Sequence, residues 1–226
     1  LVHCETTSGI MNPVAEIGAV AKAAGCVYFV DSMSAFGGVR FDFSACEIDF
    51  LVSSANKCVQ GVPGFGFALC RRTALEATEG YSRTLSLDLL VQWRGLEGNG
   101  QFRFTPPTHT LLAFAQALDE LQAEGGVHAR AARYGGNHQV CVKGMRAMGF
   151  TEYVPENLQG HIITSFLYPS ENFDFEEFYD RLNNKGFVIY PGKVTKANCF
   201  RIGHIGHLFA EDTEMLLEAI GEVVRE

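Results

Sequence analysis

The sequence predicts an α/β protein: part of a mostly parallel sheet, followed by a small α+β C-terminal domain. Two patterns carry this. Over residues 1–70, continuous apolar runs such as Cys26–Val30, Phe50–Ser53 and Gly66–Cys70 alternate with helical periodicity. Such order reads as a sheet with right-handed crossovers, its strands covered on both faces. After a helical middle, shorter strands at 161–167, 187–190 and 199–202 alternate with helices in another rhythm.

Each element has its local reason. Val2–Cys4 reads as the end of a buried strand, so the chain is expected to be a C-terminal fragment of a longer protein. Pro13 suits a first helical turn, Asn12 can cap it, and Val14, Ile17, Ala21 and Ala24 recur at helical spacing before Gly25. A short helix is expected over Asp42–Glu47 and another over Ser86–Leu96. Thr108–Glu124 presents Leu111, Leu112, Ala115, Leu118 and Leu121 on one side, and Gly125–Gly126 breaks it. A second long helix runs to about Met148. Further helices are expected over Phe175–Lys185 and Glu211–Arg225. The boundary falls in this helical middle, giving a partial large domain over 1–124 and a small domain over 125–226.

Composition narrows the function. The 226 residues carry a formal charge of −8 with 18 scattered Lys and Arg, which argues against nucleic acid as a partner. No apolar stretch approaches a membrane span of about 20 residues. Seven cysteines without a CxxC pair read as reduced thiols in a cytoplasmic protein. His204 and His207 are the nearest thing to a metal pair, and no metal is expected.

Open α/β sheets bind ligands beyond the carboxyl ends of their strands. Three polar clusters fall there: Glu5–Gly9, Asp31–Ser34 and Ser53–Lys57. Lys57 alone would read as a solvated charge. It follows a buried strand and precedes the glycine-rich, apolar stretch 58–66, so it is expected to be partly desolvated, which favours the neutral amine. Asp31 reads either as a turn residue or as a partner for a protonated ring nitrogen.

Val30-Asp31-Ser32-Met33-Ser34 followed by Ser53-Ser54-Ala55-Asn56-Lys57 resembles fold-type I, class V aminotransferases, which depend on pyridoxal 5′-phosphate (PLP). Longer strings extend the likeness nearly end to end: His3–Gly9, Gly61–Gly66, Ser86–Leu89, Arg103–Thr105, Gly186–Lys193 and Phe200–Gly203. These resemble the members that move the amino group of 2-aminoethylphosphonate to pyruvate, giving phosphonoacetaldehyde and L-alanine. The resemblance implies that Lys57 carries the cofactor and moves the proton, and that Asp31 pairs with the pyridinium nitrogen. It further implies that Thr6 lies near the ring hydroxyl, that Asn56 lies near the phosphate, and that Thr105 reaches the phosphate of a partner subunit in a homodimer. Arg201 would clamp the anionic end of the substrate; a guanidinium fork fits carboxylate and phosphonate alike, whereas a salt bridge is its ordinary reading. Alanine–glyoxylate or serine–pyruvate transamination and a catalytically incomplete fragment stand as alternatives. A dinucleotide-binding dehydrogenase is a weaker one, since no GxGxxG follows a strand.

Overall fold

The chain starts alongside its own third strand. In the computed structural model, which describes residues 1–192, 194 and 196–225, Leu1–His3 runs parallel to β3 (Phe29–Asp31). Asp31 N donates to Leu1 O at 2.8 Å and His3 N to Asp31 O at 2.7 Å. A small hairpin follows, β1 (Cys4–Glu5) with β2 (Ile10–Met11). Gly9 turns it at φ 99°, where a Cβ would meet Ile163 O at 2.7 Å. Helix α1 (Val14–Ala23) then leads back to β3. Asn12 does not cap α1; its side chain donates to Val2 O at 2.7 Å and so ties the hairpin down.

β3 pairs in parallel with β4 (Phe50–Ser54), whereas β5 (Gly66–Cys70) returns antiparallel. The return follows from length: residues 55–65 hold no helix, and a parallel partner needs a crossover of a dozen or more residues. Val30, Ile48 and Leu51 are fully buried with Val14, Tyr28 and Cys46 on the α1 side. A Cβ at Gly18 of α1 would run into Cys46 O, so only glycine lets the helix approach this closely. The opposite face departs from expectation. Phe29, stacked on Phe50, is 49% exposed and Val27 70%, so this sheet is covered on one face by the described residues.

Residues 42–47 form turns rather than a helix, because the Asp42 carboxylate accepts from Ser44 N and Ala45 N and Glu47 takes φ 55°. Helix α2 (Arg72–Glu76) precedes α3 (Leu89–Asn99), which starts three residues later than expected because Asp88 caps it through Val91 N. Gly125, at φ 109°, separates α4 (Thr108–Glu124) from α5 (Gly126–Ala147). Beyond them an antiparallel sheet joins β6 (Ile163–Leu167), β8 (Cys199–Gly203) and β7 (Tyr190–Pro191), with β8 central. Of the strand expected over 187–190, Tyr190 alone pairs. Lys193, in the same string, lies outside the described residues. Helices α6 (Phe175–Asn184) and α7 (Ala210–Arg225) pack with α5 on this sheet around Met145, Phe166, Phe200, Leu182 and Ile220.

Candidate active site

The three polar clusters converge. A cavity of about 710 Å³ is lined by one residue from each: Thr6 after β1, Ser34 after β3 and Lys57 after β4. Its other wall comes from the second sheet and α7, with Arg201, Tyr190, Gly203, Ile205 and Met215. That volume suits a drug-sized ligand, and apolar walls with a few polar groups are the usual composition of such a site.

Lys57 is exposed, not sheltered from water as expected. The two residues after it, Cys58 and Val59, are fully buried and hold its backbone, but nothing among the described residues covers the side chain. Asp31 lies one strand over. Side chains alternate along a strand, so with Val30 in the α1 core, Asp31 faces the open side together with Phe29. Its Oδ1 accepts from Met33 N at 2.9 Å, a turn interaction, and Asp31 is not among the residues lining the cavity. Ser54 shares that open face by the same alternation, and its Oγ is buried without a hydrogen-bond partner among the described residues. Asn56 is half-buried beside Lys57. Thr105 stands apart, on an open groove of residues 100–106 next to the exposed Phe102 and Phe104.

Arg201 is the strongest electrostatic feature. It is 6% exposed, yet no carboxylate among the described residues pairs with it. Nε donates to Pro191 O at 3.0 Å and Nη1 to Thr6 O at 2.7 Å, and the guanidinium lies 5.7 Å from the Tyr190 ring centre. Two backbone carbonyls and a ring face thus aim the fork while its charge stays uncompensated. A buried, unpaired cation facing a cavity suits an anionic ligand. Asp212, the one acid in the lining among the described residues, accepts from Phe209 N at 2.8 Å at the start of α7.

Two buried histidines, His204 and His3, add no charge at neutral pH. His204 lines the cavity, is hydrogen-bonded to Thr164 Oγ1 at 2.8 Å, and is held down to about 3 by burial and by His138 and His161. His3, against Ser32 Oγ at 3.1 Å, is held down to about 4 by burial and His161. Burial and Cys4 push the Cys58 thiol up to about 12, so it is no nucleophile beside Lys57. Sequence reasoning did not single out Tyr190 or His204 as part of the site. Tyr190 carries no signal beyond standing in a resembling string, and His204 stands out in the sequence only as half of a weak metal pair with His207.

A lysine amine and a guanidinium with no carboxylate partner among the described residues line one cavity, and a carboxylate stands at a neighbouring parallel strand end outside its lining. Residues 1–203 match the class-V aminotransferase family, and the chain belongs to it. Class-V aminotransferases depend on PLP. The 2-aminoethylphosphonate–pyruvate transaminase of Phocaeicola vulgatus is 55% identical over 226 residues, covering 100% of this chain and 62% of that protein. The Vibrio cholerae protein of the same name is 53% identical, covering 99% and 62%. This chain therefore spans under two thirds of the length of these relatives. Among solved structures, pyridoxamine–pyruvate aminotransferase from Mesorhizobium loti superposes with a TM-score of 0.90 at 25% identity, covering 100% of this chain and 59% of that one. Ureidoglycine–glyoxylate aminotransferase from Bacillus subtilis gives 0.88 at 20%, covering 99% and 59%, a likeness of fold alone.

Proposed function

We propose that the protein transfers the amino group of 2-aminoethylphosphonate to pyruvate, giving phosphonoacetaldehyde and L-alanine, with PLP held through Lys57. The observation that carries this reading is the cavity that joins the Lys57 amine to a buried Arg201 without an acidic partner among the described residues. The names of relatives more than half identical over the whole chain supply the substrates.

The residues fit the cofactor. The cavity is large enough and Lys57 lines it, while Asp31 and Ser54, whose Oγ has no partner among the described residues, stand on the adjoining strand face outside its lining. PLP supplies an aldehyde carbon that amines attack and a pyridinium ring that accepts an electron pair. Asp31 would accept a hydrogen bond from the ring nitrogen and keep it protonated. Thr6 would stand by the ring hydroxyl and Asn56 by the phosphate. Thr105 would reach the phosphate in a partner subunit. Lys57, once its amine is free, takes the proton from the substrate carbon next to nitrogen and returns one on the other side of the reaction. Arg201 holds the phosphonate in the first half and the pyruvate carboxylate in the second. The first product leaves before pyruvate binds, with the amino group retained on the holoenzyme in between, so ping-pong kinetics should follow.

Residues 1–124 form the cofactor-binding part in this reading and 125–226 the small domain, with a homodimer as the working unit. Buried thiols at Cys4, Cys46, Cys58 and Cys141 suit a cytoplasmic setting. The test is an assay of the full-length protein for alanine formed from pyruvate with 2-aminoethylphosphonate as donor. Lys57→Ala should abolish it. Equal turnover with glyoxylate and an α-amino acid donor would replace the phosphonate reading, and an unchanged Lys57→Ala rate would remove the lysine's role.

A further inference from the structure

We propose that Tyr134 and Gln60 are positioning residues that set the spacing between the Lys57 amine and the Arg201 guanidinium; the inference rests on the site reading above. Tyr134, on α5, is fully buried beside Cys4, Ala35, Cys58 and Ile162. A tyrosine hydroxyl has one proton and two lone pairs, and here all are engaged. It donates to Cys58 O at 3.3 Å and accepts from Gln60 Nε2 at 2.6 Å and from Gly206 N at 3.3 Å. Cys58 directly follows Lys57, and Gly206 lies in the segment leading from β8, the strand of Arg201, into α7. One phenol oxygen therefore touches both halves of the site.

Gln60 closes the link. Its Nε2 also donates to Gly206 O at 2.6 Å, and its N donates to Lys57 O at 2.9 Å. Gln60 sits at φ 66°, a region L side chains rarely adopt, although the same loop uses glycine at 61 and 64. A strained glutamine kept where glycine would relax the backbone points to its side-chain amide as the needed part. α5 braces both ends: Arg130 Nη1 donates to Cys58 O at 2.7 Å, and Arg133 Nη1 donates to Gly206 O at 2.8 Å. Neither Tyr134 nor Gln60 lines the cavity, so they act through the residues that do. A small displacement of one ligand-holding group against another is enough to cost rate.

The test uses Tyr134→Phe, which keeps the buried ring, and Gln60→Gly, which removes the amide and relieves the backbone. In the full-length protein, amide hydrogen exchange should quicken together at 57–61 and 203–208 in both variants while α1 is unchanged. The ratio of kcat/KM for 2-aminoethylphosphonate to that for n-propylamine, which lacks the anion, should fall about tenfold. In an Arg201→Ala background Tyr134→Phe should leave that ratio where it is. An equal fall for both amines, a further fall without Arg201, or quickened exchange in one segment only would overturn the proposal. A parent protein that fails to transaminate overturns the proposed function instead, and the exchange result still decides whether the two segments are clamped together.

Discussion

At the scale of single residues, Arg201 is the clearest case of a side chain whose surroundings explain it. Two carbonyls aim it and no acid among the described residues neutralises it. Arg201→Lys keeps a charge but loses the fork, so the Michaelis constants for both the phosphonate and pyruvate should rise, with kcat/KM down roughly 100-fold, read from steady-state kinetics. A rise for one substrate only would show that one arginine does not serve both anions. His204 makes a prediction about pH. Its folded value of about 3 lies below the ordinary 6.5, so the unfolded chain binds a proton that the folded one refuses. Its contribution to stability is therefore full above about 6.5 and is lost progressively as pH falls toward 3, by an amount of order a few kcal/mol. Urea titrations from pH 8 to 4 should show this slope, and His204→Gln should flatten it.

Among elements, close approach matters more than propensity. Gly18→Ala places a methyl against Cys46 O and should destabilise the chain by roughly 2–4 kcal/mol in thermal or denaturant unfolding. The pattern of residues foretold α1, α4, α6 and α7 within a few positions because periodicity and breakers such as Gly125 are local signals. It missed the antiparallel return of β5, which depends on what residues 55–65 do in three dimensions. It also overstated the Asp42–Glu47 helix, where an aspartate prefers to bond its own backbone. The site was legible in the same uneven way. Thr6, Lys57 and Arg201 stand in motif strings and line one cavity, and Ser34 comes from a cluster noted for its place at a strand end. Tyr134 and Gln60 sit in no such string, and only packing brings them together across the fold.

For the molecule as a whole, the open sheet face and the groove at 100–106 leave large apolar side chains in water, among them Phe29, Phe102 and Phe104. Exposed apolar patches of this kind mark candidate interaction surfaces. If Thr105 serves a partner's site, charge beside it should break both assembly and catalysis. Phe104→Asp should turn a dimer into a monomer by sedimentation and abolish transamination together. Activity retained in a monomer would place the phosphate contacts within one subunit.

The central claim is that one lysine, Lys57, carries the coenzyme. Full-length protein incubated with PLP, reduced with borohydride, digested and analysed by mass spectrometry should show one reduced pyridoxyl phosphate, on the peptide containing Lys57. The label on another lysine, or none in a protein that still transaminates, would contradict it.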